Sequence, residues 1–401
     1  NDFCIAIGHN ALGADTQNSQ YCVAIGDNAL ADQNADVQNT AIGAKAGASI
    51  TTATSNTLIG YMAGNAGTTI DGTPAFNNNV MIGHQAGSTA AEGGQNVFIG
   101  AYSGDSAVTG DSNCCIGYNT GTNLTDGPGN VLMGHNAGMA MSTSDYNVAI
   151  GFHALDALTT NSHNNIAIGA YALSAQATDQ TTGSITNGTV NSIAIGRNAL
   201  AVQDSADGIN LAIGYNAGLT ISSGTQNVLI GHQAGMTLAA HSGTTGSYCT
   251  AVGHNALSAT TGTENTAVGN GALDALGAGV SNTVLGSSAM GTADNEESFN
   301  TAIGNNALYN LNVNDGDHNT ALGYNAGRFL SNGSTAVTDV RFCNYLGSET
   351  RASAATGVER ETVIGYGAIG NGGDTITLGD SSLDGLHCNE SIQALSDGRT
   401  K

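Results

Sequence analysis

A short apolar run closed by glycine recurs along almost the whole chain. Clear copies are Asn319-Thr320-Ala321-Leu322-Gly323-Tyr324-Asn325-Ala326-Gly327 and Asn56-Thr57-Leu58-Ile59-Gly60-Tyr61-Met62-Ala63-Gly64. Asn300-Thr301-Ala302-Ile303-Gly304-Asn305-Asn306-Ala307-Leu308 is a third. Counted from the glycine, position −4 is usually Asn, −3 is Thr or Val, −2 is Ala or a larger apolar residue, and −1 is Ile, Leu or Val. Position +3 is usually Ala and +4 is Gly or Leu. The motif occurs 21 times between Gly8 and Gly379, most often at intervals of 17 residues, as from Gly83 to Gly100, Gly117, Gly134 and Gly151. Self-similarity at a fixed period predicts a solenoid, which grows by stacking and needs no central core.

Period-two alternation makes each copy a short strand, with −3 and −1 on one face and −2 on the other. All three positions are apolar, so both faces must be covered. The expectation is a coil with the −1 aliphatics inside and the −2 face packed against something beyond the chain. Positions −2 and +4 trade size: Ala6, Ala24, Ala149 and Ala302 go with Leu12, Leu30, Leu155 and Leu308. Leu58, Met81, Phe98 and Leu132 go with Gly64, Gly87, Gly104 and Gly138. Close-packed interiors conserve volume, so the two positions are expected to touch, within one coil or across to a neighbouring chain. Four copies break the rule: Ala41/Gly47, Ala212/Gly218, Ala321/Gly327 and Val284/Met290. The recurrent glycine fits a positive φ or a close backbone approach. Asn at −4, stacked on itself every coil, predicts a side-chain amide ladder. With rungs about 4.8 Å apart, the array would be on the order of 100 Å long.

Longer intervals insert residues rich in Gly, Thr, Ser and Asn at Thr68–Asn79, Ser174–Asn191, Thr237–Tyr248 and Arg328–Arg341. Insertions in solenoids collect on one face, often the binding face. Candidate receptor-contacting residues in these loops are Thr73, Phe76, Thr182, Asn187, His241, Tyr248, Asn332 and Thr335. After Gly347 the repeat decays. The organisation expected is a solenoid over residues 1–379 and a different element over 380–401. Because the chain starts inside a repeat, a segment preceding residue 1 is expected.

Composition supports a strand-and-turn protein: glycine numbers 58, proline occurs twice and tryptophan is absent. No apolar run reaches the roughly 18 residues of a membrane span. Net charge is −23, and up to residue 327 the only bases are Lys45 and Arg197. An acidic array without a basic stripe argues against nucleic acid or anionic membrane as partner. The charge is read as a solubilising surface, with calcium between acidic loops as the one cofactor it admits; no cofactor is expected otherwise. Cys4, Cys22, Cys249 and Cys343 occupy −4, and Cys114 and Cys115 sit at −3 and −2, which predicts buried thiols rather than a metal site. Cys4 and Cys22 are near enough for a disulfide by distance, but parallel stacked side chains supply the wrong torsion. His9, His84, His135, His232 and His254 share position +1 and read as surface residues rather than a metal ladder. Asn123, Asn187 and Asn332 match the glycosylation sequon. No paired carboxylates or Ser/His/Asp set argue an enzyme; Asp315/Asp317 and Glu296/Glu297 are too local. Ice binding would require outward Thr ladders, whereas Thr at −3 is expected to face inward.

The repeat Asn-Thr/Val-Ala-Ile-Gly-x-x-Ala resembles the head repeat of trimeric autotransporter adhesins. That resemblance implies a left-handed parallel β-roll with three chains around an axis, although repeats in those heads are shorter than here. The tail is similar to the junction preceding the intramolecular chaperone of phage tail fibres and tailspikes. The residues are Gly379-Asp380-Ser381-Ser382, Leu386-His387-Cys388 and Ala394-Leu395-Ser396-Asp397-Gly398-Arg399-Thr400-Lys401. By that resemblance Ser396 is the nucleophile of an autoproteolytic cut, with Asp397 beside it, and a C-terminal domain outside this chain completes the reaction. Together these imply a non-enzymatic homotrimeric fibre of a virion tail, attaching to a host-surface glycan or protein receptor. The alternative is a bacterial trimeric surface adhesin or a self-assembling extracellular filament.

Overall fold

Every motif copy forms a three-residue strand, and the strands stack in parallel and in register. In the computed structural model they make one 21-stranded sheet, from Ile5–Ile7 to Ile376–Leu378. Like pairs with like throughout, for example Val97↔Cys114, Phe98↔Cys115 and Ile99↔Ile116. The structure describes residues 3–383 except 15–19, 35–37, 67–75, 91, 107, 158–161, 175–190, 204–208, 222–223, 239–245, 294–295 and 313–315. Among the described residues there is no helix. Outside the main sheet, Val202–Gln203 pairs with Thr220–Ile221, and Val340–Arg341 with Val358–Glu359. The chain is a parallel β-solenoid with one motif copy per rung. The turns stack as the strands do: Leu30 N–H donates to Ala46 O at 3.0 Å, and Tyr102 N–H to His84 O at 3.0 Å.

The strand faces the opposite way from the expectation. Position −2 is fully buried inside the coil in every rung from Ala24 to Val363. The −1 aliphatics point outward: Ile42 is 37% and Ile150 36% exposed, and Ile303 is half-buried. Alternation correctly grouped −3 with −1, but the curvature of the coil decides which group goes in. The column that goes in is the one that trades size with +4, Ala24 beside Leu30 and Phe98 beside Gly104.

Inside the coil, −2 packs against +4, so the inferred contact lies within one chain. A Cβ on Gly104 would stand 2.6 Å from the Phe98 ring, and one on Gly64 would stand 2.6 Å from Leu58 Cδ2. The stacking also explains three of the four exceptions. A Cβ on Gly47 would meet Leu58 of the next rung at 2.7 Å, one on Gly218 would meet Leu229 at 2.9 Å, and one on Gly327 would meet Tyr345 at 2.7 Å. Leucine is therefore excluded at +4 where the following −2 side chain is as large as Leu58, Leu229 or Tyr345, whereas Leu273 is accommodated before Val284. Val284/Met290 has no such account. Opposite the strand, Ile50, Leu124, Met141, Ile221, Leu238, Leu276 and Leu311 form a further buried column at +7.

The amide ladder is present, and it does more than stack. Asn130 Oδ1 accepts from Asn147 N–H at 3.0 Å and Asn147 Nδ2 at 3.1 Å, while Asn130 Nδ2 donates across the interior to Ser144 O at 2.9 Å. The same pattern joins Asn282 to Asn300 and to Glu297 O. Asn130 and Asn282 thus satisfy buried backbone groups on the next rung and on the opposite wall, whereas Asn113 Nδ2 is buried without a partner. Near the C-terminal end the column changes to Cys343 and Glu361. Glu361 is buried and accepts from the Tyr345 hydroxyl at 3.2 Å and Gly372 N–H at 3.1 Å. The motif glycine is required by both backbone and space. Gly169 has φ +131°, and a Cβ there would fall 2.7 Å from the carbonyl of Gly196 in the next rung.

Candidate receptor-binding surface

Of the loop residues expected to meet a receptor, Thr73, Thr182, Asn187 and His241 lie outside the described residues. Phe76 does not belong to a binding loop. It is fully buried and its carbonyl accepts from Asn56 Nδ2 at 3.0 Å, so an apolar side chain at the end of the insertion re-enters the core. Tyr248 is 56% exposed in a left-handed conformation with φ 59°. Asn332 and Thr335 are brought together at the tip of a small antiparallel hairpin in which Phe329 bridges Ala336. Asn332 Oδ1 accepts from Ser334 N–H at 3.0 Å and Thr335 N–H at 2.9 Å, and its Nδ2 donates to Thr335 Oγ1 at 2.7 Å. Both residues remain exposed. Arg328 anchors the base, its guanidinium 4.6 Å from the Phe329 ring centroid and 4.8 Å from that of Tyr309. Arg351 Nη1 holds Ser331 O at 3.1 Å. Among the described residues this is an acidic protein's one concentration of bases, with Arg328, Arg341, Arg351 and Arg360.

Two surfaces were not recognised from the sequence. The first is the outer sheet face made by −3 and −1, which carries no Asp, Glu, Lys or Arg in any of the 21 rungs of a chain with net charge −23. Thr250, Thr266, Thr283, Thr301 and Thr320 lie on this outer face, which corrects the inward placement of Thr. The hydroxyl row is confined to part of the face, because −3 is Val, Ile or Leu over much of the rest.

The second is a ladder of rings on the turn that follows the strand. Tyr61, His84, Tyr102, Tyr118, His135, Phe152 and Tyr171 follow one another on consecutive rungs. Tyr61–His84, Tyr118–His135 and His135–Phe152 stack with centroids 5.4, 5.2 and 5.3 Å apart. Tyr102 lies at 66° to His84 and 88° to Tyr118. A shorter run joins Tyr215, His232 and His254, the two imidazoles 4.9 Å apart on adjacent rungs. The shared +1 position of the histidines was the available signal; it needed extension to Tyr and Phe at +1, and to Tyr at +2 where +1 is Ala. Among the described residues no group of three His, Cys, Asp or Glu side chains could hold a metal ion.

The titratable groups follow burial. Desolvation pushes the Asp105 and Asp156 carboxyls up, opposed by the Ser88 hydroxyl on the first and by His153 on the second. Cys114, Cys115, Cys249 and Cys343 are free thiols. Burial pushes Cys115 strongly up and Cys249 up to about 11, so neither is a nucleophile at neutral pH. Cys22 N–H donates to Cys4 Sγ at 3.4 Å.

Cys388, Ser396 and Asp397 lie outside the described residues. Among the described residues no helix is long and apolar enough to cross a membrane. No protein-family model, curated protein or solved structure matches the chain.

Proposed function

We propose that this solenoid is the shaft of a homotrimeric attachment fibre carried by a virion tail, presenting its insertion loops to a host-surface glycan or protein receptor. The observation that carries the reading is the outer −3/−1 face. Two columns of largely aliphatic side chains along some 100 Å amount to about 1,000 Å² of charge-free surface. Soluble monomers leave only a few hundred Å² of contiguous apolar surface uncovered. That area also exceeds the roughly 800 Å² per partner of an ordinary stable interface. Three parallel copies about an axis would bring equivalent rungs together and close the surface without leaving a polymerising edge. The stripe that needs covering is thus −3/−1 rather than −2. The tail motif favours a viral fibre, with Ser396 and Asp397 as the cut that a downstream chaperone would complete.

Light scattering on the purified chain tests the assembly. The expected mass is three times 39.9 kDa. Ile150→Lys or Ile303→Lys should abolish it by placing an unpaired charge in each interface. A stable monomer at micromolar concentration refutes the fibre, and a trimer indifferent to both lysines refutes the face. The coding sequence beyond Lys401 separates the virion reading, which requires a chaperone domain, from the bacterial adhesin, which requires a membrane-anchor barrel.

A further inference from the structure

We infer that the seven-rung ring ladder from Tyr61 to Tyr171 is a binding ridge for a neutral, linear polysaccharide lying along the fibre axis. This rests on the attachment reading above and names the class of ligand and its site. The fold itself does not ask for rings at this place. The same +1 position is Asp27, Ala44, Asn270, Ser287 and Asn305 in other rungs, whose strands and turns are otherwise alike. Where +1 is Ala101 or Ala170, a ring is still supplied from +2, by Tyr102 and Tyr171. The rings are left in water, with Tyr61, Tyr118 and Phe152 each more than two-fifths exposed. Stacking buries ring faces between neighbours, so phenol hydroxyls and imidazole nitrogens lie at the free edges, while Tyr102 is turned across the row. At +2 on the same turns stand the amides Gln85 and Asn119.

A surface that alternates ring carbon with single donors and acceptors at every rung suits a ligand that alternates C–H faces and hydroxyls at a similar repeat. An extended pyranose chain advances by about one sugar per rung. Each contact is weak, and their number along one polymer, multiplied by the copies in the fibre, supplies the affinity. Acidic polysaccharides are disfavoured by the protein's net charge of −23, which selects for a neutral chain. A folded protein partner is the competing occupant. Such a partner would bind through a few buried anchors rather than a repeated row.

The experiment is affinity electrophoresis of the full chain through gels containing hydroxyethyl cellulose, galactomannan or dextran, with alginate as the anionic counterpart. The comparison is the triple variant Tyr118→Ser, His135→Asn, Phe152→Asn, which uses residues the chain already carries at +1. Tyr324→Asn, on a distant rung, is the control. The expected result is retardation by at least one neutral polymer and none by alginate. The triple variant should weaken binding by at least about tenfold, through the loss of several coupled contacts, with its melting temperature and mass unchanged. Tyr324→Asn should have no effect. Retardation by none of the neutral polymers, by alginate alone, or equally for the triple variant overturns the inference. So does a triple variant that binds cells as before until surface protein is removed by protease. The ridge can fail while light scattering still reports a trimer, and a monomer refutes the fibre whatever the ridge does.

Discussion

The shared packing site of Phe98 and Gly104 predicts a coupling that can be measured. Phe98 is fully buried, and its ring fills the space over Gly104 while also meeting a Cβ placed on Gly87 at 3.1 Å. Phe98→Ala should therefore cost about 3–5 kcal/mol as a large-to-small change in a close-packed interior. Gly104→Leu next to an intact ring should cost about 1–3 kcal/mol from overpacking. A left-handed backbone at a residue with a Cβ adds roughly 1–2 kcal/mol, and Gly104 has φ +58°. The double variant recreates a solution the chain already uses, as in Ala24 with Leu30, where leucine sits at φ 48°. It loses only the difference between a phenyl ring and an isobutyl group, about two carbons at roughly 0.8 kcal/mol each, plus the backbone term. A double-mutant cycle should thus give roughly 2–6 kcal/mol of favourable coupling, the backbone term cancelling. Amide hydrogen exchange at Val97, Phe98 and Ile99 reads it locally, since a solenoid opens rung by rung. Additivity within about 0.5 kcal/mol would refute a common site.

Asn130→Ala should cost about 2–4 kcal/mol, because it strands the Asn147 N–H and the Ser144 carbonyl in the interior. Asn130→Cys should cost less, since Cys249 at the same position directs its thiol to a carbonyl; exchange at Val131 and Val148 ranks the two, and equal losses would remove the ladder's assigned role. For Asp156, burial raises the folded-state pKa, so its favourable contribution is complete below the ordinary carboxyl value and is lost as pH rises through the raised one. Asp156→Asn should accordingly gain melting temperature relative to the parent at pH 7 and lose that gain by about pH 4. A loss of melting temperature on substitution at pH 7 that shrinks towards pH 4 would show that the His153 contact, not desolvation, governs the site.

Rung number, strand position, parallel register, the Asn ladder and the −2/+4 contact all follow from one repeated motif, because stacking makes each position its own neighbour. Strand parity could group Thr40 with Ile42 against Ala41, but it has no sense of direction, and with no charge on either face the choice was open. The closed coil settled it: Ala41 is buried, Ile42 is exposed, and the size trade with +4 belongs to the confined side. Phe76 was misplaced for a related reason, since composition marks an insertion but not which of its residues returns to the core. The exceptions at Gly47, Gly218 and Gly327 needed the rung above, and the rings from Tyr61 to Tyr171 needed stacking to become a row. Periodicity determined what repeats; only the closed coil, by bringing residues one rung apart into contact and giving each strand an inside, decided what touches and what faces water.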